Sequence, residues 1–218
     1  MKNRDINTED LIRSLSRDVP RVPRGALGRR LALGMVAGAL VTALLVAGVL
    51  GIRPDLHSAM HGFSFWMKWT YTASLGIGSV MAVLRLARPN PQSLRALWWL
   101  SVPVLLLAGI GIGELASTPS RAWLAMWLGA SWKVCPWLVL TLAMPIFIGL
   151  LWSFRRMAPT RLREAGAVAG LAAGAWAATI YCLHCPEVSA IFVLTWYSLG
   201  ILLAAGIGAL LGPKLMRW

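Results

Sequence analysis

The chain has 218 residues, of which 58% are apolar and 13% charged, and its mean hydropathy is +0.67. A water-soluble domain carries about 25% charged residues, so this composition excludes one. A net charge of +13 would point a soluble protein toward nucleic acid, but here the placement of the charge, rather than its sum, is informative.

The N-terminal segment comes first. Thr8 is placed to cap a helix whose Leu11, Ile12, Leu15 and Val19 recur as a narrow apolar stripe, ending before Pro20. Asp5, Glu9, Asp10 and Asp18 outnumber Arg13 and Arg17 on this stretch, and an acidic helix is poorly matched to anionic lipid. A protein partner with a basic groove fits it better.

Six apolar runs follow, each close to the roughly 20 residues that a helix needs to cross about 30 Å of hydrocarbon. Residues 31–52 contain no charge. Residues 62–84 contain only Lys68, placed near the start, where a long stem can carry the ammonium to the interface. The third run, 96–113, holds Pro103 as an expected kink. After it, Trp123, Met126, Trp127 and Ala130 share one helical face of a connection expected to lie flat on the membrane surface. The fourth run, 134–154, contains Pro145, with Pro136 in its first turn, and the last two cover 165–184 and 190–211. The expected fold is all-α: a cytoplasmic segment 1–30, then a transmembrane domain 31–218 of six helices.

Orientation follows from Lys and Arg. Eight lie in the first 30 residues, three in 85–95, four in 155–163 and two in the C-terminal tail, whereas the opposite side holds Arg53, Arg121 and Lys133. Both termini are therefore expected in the cytoplasm, in a multi-pass protein of a bacterial inner membrane. Basic loops that bound nucleic acid directly would not need this alternation between sides. Beyond Lys68 the runs carry no ionisable residue of the kind that marks an ion route, which argues against a transporter.

The same topology puts His57, His61, His184, Cys135, Cys182 and Cys185 at the outer ends, toward an oxidising compartment. Cys135 lies 25 residues before Thr160 and Cys185 lies 25 after it. In an antiparallel hairpin the two thiols thus sit at similar depth, although a disulfide also needs lateral closeness. Cys182 and Cys185 end a helix rather than begin one, so a thioredoxin-like reading of their spacing is weak. A soft metal is a second candidate ligand class for the three cysteines and His184, with His57 and His61 one helical turn apart nearby. No other cofactor is implied. Gly34 and Gly38, then Gly166, Gly170 and Gly174, then Gly208 and Gly212, repeat at a spacing of four, a signal of close helix packing in lipid.

Several motifs together carry a resemblance. They are Asp10-Leu11-Ile12 with Leu15, Arg155-Arg156-Met157-Ala158-Pro159-Thr160, His184-Cys185-Pro186-Glu187 and the closing Gly212-Pro213-Lys214-Leu215-Met216-Arg217-Trp218. With them the chain resembles the NrsF family of membrane anti-sigma factors over nearly its whole length. The resemblance implies a regulator rather than an enzyme. Its N-terminal segment, through Asp10, Leu11, Ile12 and Leu15, would hold an extracytoplasmic-function sigma factor inactive until a periplasmic redox or soft-metal stress is sensed. The family's cysteine pair maps onto Cys135 and Cys185, and Cys182 is an addition to that pattern, with His184, His57 and His61 as tuning or ligating side chains. The alternative is a membrane thiol oxidoreductase passing electrons from periplasmic thiols to quinone, for which three cysteines are a poor set because relay normally needs two pairs.

Overall fold

The structure, a computed structural model, describes residues 8–17, 26–86, 98–154 and 161–216. All regular elements among them are helices. The expectations placed on Val19, on the arginines of 18–25 and 87–97, on the motif Arg155–Thr160 and on the last two residues lie outside the described residues.

Helix α1 covers Thr8–Arg17, and α2 covers Ala26–Leu45 before continuing as a π-helical turn, Val46–Leu50. That turn stops at Gly51, whose φ of 81° is one that only glycine adopts readily. A short α3 (Leu56–Ala59) leads into α4 (Phe63–Leu86), followed by α5 (Ser101–Ser117) and α6 (Trp123–Leu128). Then come α7 (Cys135–Phe154), α8 (Leu162–Tyr181), α9 (Ala190–Phe192), a π-helical turn Val193–Tyr197, and α10 (Ser198–Leu215).

A helix occupies the place of each expected run. Among the described residues four stretches are long and apolar enough to cross a membrane: Gly28–Leu50, Trp98–Ser117, Cys135–Phe154 and Ala190–Leu215. The other two helices are less oily for identifiable reasons. Helix α4 carries Lys68, Thr70, Thr72, Ser74 and Ser79, and α8 is built largely from alanine and glycine. Small side chains let α8 serve as the centre of the bundle, packed chiefly on α10 and also on α4 and α7, while α2 lies along α7.

The glycine spacing is used as the sequence predicts. A Cβ on Gly166 would meet the Gly208 carbonyl oxygen, one on Gly208 would meet the Gly166 carbonyl oxygen, and one on Gly170 would meet that of Ala204. The α8–α10 contact is therefore backbone against backbone, the arrangement that small residues permit in lipid. Gly34 and Gly38 bring α2 equally close to Gly149 and Ile146 of α7.

Three local expectations are corrected. Pro103 does not kink α5, because that helix begins at Ser101 and the proline falls in its first turn, where a missing N–H costs nothing. The surface helix of the following connection ends at Leu128, since Gly129 turns the chain with φ 55°, so Ala130 leaves the expected face. Lys68 does not reach outward to an interface; it is fully buried, because backbone carbonyls of a distant connection meet its ammonium inside the bundle.

Candidate functional site

The connection between α8 and α9 carries two cysteines and is held by every other connection at its end of the bundle. Helix α8 stops at Tyr181, with Cys182 as its C-terminal cap and Pro186 preventing continuation past Cys185. From the first connection, the Arg53 amide donates to the Leu183 carbonyl at 3.1 Å and the Arg53 guanidinium donates to the Cys185 carbonyl at 3.4 Å. His184 Nδ1 meets the Gly51 carbonyl at 2.8 Å. From α4, Lys68 Nζ donates to the carbonyls of Cys185 at 3.1 Å and Glu187 at 2.5 Å.

Two carboxylates complete the clamp. Glu187 accepts from the amides of Ala130 and Ser131 and from the Ser131 hydroxyl, at 2.8–3.1 Å. Ser131 in turn receives the Cys135 amide on its carbonyl, so this bond ties the Cys185 connection to the start of α7. Gly129 leaves the room that Glu187 occupies, since a Cβ there would meet the carboxylate. Glu114, at the end of α5, accepts from the Ser189 hydroxyl and the Ala190 amide, where the positive end of a helix dipole favours a carboxylate.

Cys135, Cys182 and Cys185 are all buried and unpaired as disulfides. The thiols of Cys135 and Cys185 lie close enough to act on one another, which supplies the lateral closeness that depth arithmetic could not. Interaction with Cys135, and after it with Tyr197 and the charge of Lys68, outweighs burial and holds the Cys185 thiol below its ordinary range. Cys182 also faces Lys68 and Tyr197, and Thr72 besides. The Tyr197 hydroxyl is buried with no oxygen or nitrogen partner, and the sulfurs of Cys182 and Cys185 are what it faces. At the mouth of this region Arg53 forms a two-pronged pair with Asp55, at 2.8 and 2.6 Å, that keeps the Asp55 carboxyl below the usual range.

The histidines divide. His184 stacks obliquely near Tyr181, with ring centroids 5.6 Å apart, and its Nδ1 is engaged by Gly51. His57 and His61 pair edge to face at 5.2 Å in the first connection. Among the described residues no three His, Cys, Asp or Glu side chains converge closely enough to hold a metal ion. Lys68, Arg53, Glu114 and Glu187 are the site residues that sequence reasoning passes over. Their signal is scarcity: the chain has only 8 carboxylates, and two of them flank the thiol-bearing connections.

At the other candidate surface, Leu11, Ile12 and Leu15 stand 45%, 58% and 67% exposed on α1, an apolar stripe open to solvent. Asp10 lies on the same helix, and its side chain is outside the described residues.

Comparison with known proteins adds the following. The family described as negative regulator of sigma F matches residues 15–218. A probable anti-sigma-F factor NrsF of Azospira oryzae is 40% identical over 213 residues, covering 98% of this chain and 100% of that protein. An anti-sigma-F factor NrsF of Caulobacter vibrioides is also 40% identical, over 215 residues, with 98% and 100% coverage. No solved structure matches the chain.

Proposed function

The chain belongs to the NrsF family of negative regulators of sigma F, and from that premise we propose that it holds an extracytoplasmic-function sigma factor at the bacterial inner membrane and releases it on a periplasmic signal. The observation that carries the reading is the exposed stripe of Leu11, Ile12 and Leu15 on a helix that precedes a membrane-length segment. Such a stripe wants the apolar groove of a partner helix pair. Six spans with both termini cytoplasmic put α1 beside a soluble sigma factor and the three thiols on the oxidising side.

Cys135 and Cys185 act as the switch in this reading, joined by an oxidant into a disulfide or bridged by a soft metal ion. Either event draws the start of α7 toward the connection after α8. The shift reaches α2 by two routes: His184 and Arg53 hold the end of the first long helix, and α7 lies along α2 at Gly34 and Gly38. The size of the response is set by how differently the two states hold the sigma factor, and a coupling of about 3 kcal/mol is about 150-fold.

Cysteine substitution tests the switch. Replacing Cys135 and Cys185 with Ser, with Cys182→Ser added, is expected to abolish induction of a sigma-dependent reporter by oxidants and soft metals. A triple variant that responds as fully as the parent contradicts the thiol mechanism.

A further inference from the structure

We propose that the groove between α4 and α5 holds one anionic phospholipid of the inner leaflet, with an acyl chain along the groove and the phosphate on Arg85. This rests on the membrane topology proposed above and adds a ligand to it. Helix α5 packs chiefly on α9 and meets α4 only lightly, which leaves a gap along the two helices. The gap holds two apolar cavities, of about 420 and 380 Å³, that adjoin at Ser74, Val102 and Pro103.

The inner cavity has the dimensions of a single hydrocarbon chain. Along α4 it runs from Ser74 to Arg85, eleven residues further on, or about 16 Å at about 1.5 Å per residue. One leaflet contributes half of a hydrocarbon core of roughly 30 Å, so the lengths agree. The volume spread over that length gives a width of about 6 Å, whereas a helix with its side chains needs about 10 Å. A helix of a second copy or of another protein is too thick to enter. The groove opens sideways, since Ile77, Met81 and Val102 on its walls are exposed, and a lipid can enter from the bilayer without parting the bundle.

The ends of this cavity differ in chemistry. At mid-depth Ser74 offers no free donor, because its hydroxyl is given to the Tyr71 carbonyl at 2.8 Å. At the inner end the rim carries Arg85 and Trp99. Trp99 is 76% exposed, as suits an indole at headgroup depth. Among the described residues no carboxylate lies within ion-pair distance of Arg85, so its guanidinium fork is open to a phosphate. The outer cavity has no cation on its walls, and Lys68 on the same helix is turned into the bundle. A preference for negative charge is therefore confined to the Arg85 end.

The test uses full-length protein in a mild non-ionic detergent, titrated with phosphatidylglycerol or with phosphatidylcholine of the same acyl chains. Native mass spectrometry counts the lipids retained. One phosphatidylglycerol per chain is expected, held about fivefold more tightly than phosphatidylcholine, the gain from one basic side chain beside an anionic headgroup. Arg85→Gln, at an exposed position, is expected to remove that preference. Arg163→Gln, which removes an exposed cation at the same end of the bundle but off the groove, is expected to leave it intact. Val102→Trp fills the groove from its exposed wall and is expected to lower retention of both lipids. Equal affinity of the parent protein for the two lipids overturns the proposal, and this arm does not depend on any variant folding. Equal losses from Arg85→Gln and Arg163→Gln overturn it as well, since the lipid would then be held by diffuse charge. So does a lipid-free dimer that Val102→Trp dissociates, which would seat a second copy in the groove. Arg85-dependent retention in a protein whose reporter fusions place Trp218 outside the cytoplasm would uphold the lipid site and refute the topology.

Discussion

Replacing Leu11 or Leu15 with Asp is expected to free the sigma factor in the absence of any stress, with the protein still in the membrane. Both side chains are exposed on α1 and make no part of the core, so their loss leaves the bundle untouched. Burying one leucine against a partner is worth roughly 1.5–3 kcal/mol, and each roughly 1.4 kcal/mol is tenfold in affinity. Each substitution therefore weakens retention by at least about tenfold before the cost of burying a carboxylate is added, and the pair together abolishes it. A sigma-dependent reporter measures the release, and membrane fractionation checks insertion. Normal repression in both variants rules out this stripe as the contact.

The second large effect is structural and lies at the other end of the argument. Gly208→Leu is expected to break the α8–α10 contact, because its Cβ would strike the Gly166 backbone and neither helix has a flexible side chain there to give way. Overpacking a fitted contact costs about 1–3 kcal/mol, occasionally more, and a backbone neighbour puts this site at the upper end. Gly206→Leu, two residues earlier on the same helix, is the control: a Cβ there meets nothing within 4 Å. Thermal unfolding of the purified protein in detergent should show a lowered midpoint for Gly208→Leu and little change for Gly206→Leu. Equal midpoints would mean that the close approach carries no stability.

The two results also mark what a linear sequence conveys. Helix positions were legible because an apolar run of span length admits few other folds, and the packing face of α8 was legible because glycines at a spacing of four share one side of a helix. Gly149, alone in its run, carries no such period, yet it is the surface that Gly34 meets. The depth of Cys135 and Cys185 follows from counting along a hairpin, whereas their adjacency depends on how α7 and α8 lie side by side. Lys68 was the hardest to read. A lysine near a span end has a sufficient local explanation in a long stem reaching water, and its actual partners lie 117 and 119 residues further along the chain. Pro103 misled for the same local reason: a proline inside an apolar run looks like a kink until the helix start is known to lie two residues before it.

Co-purification tests the central claim, retention of a sigma factor through the N-terminal segment, most directly. Full-length protein is solubilised from membranes under reducing conditions in parallel with a form lacking residues 1–24, and bound proteins are identified by mass. The account predicts a sigma factor in near-stoichiometric amount with the full-length chain and none with the shortened one. A sigma factor retained equally by both forms, or absent from both, would contradict it.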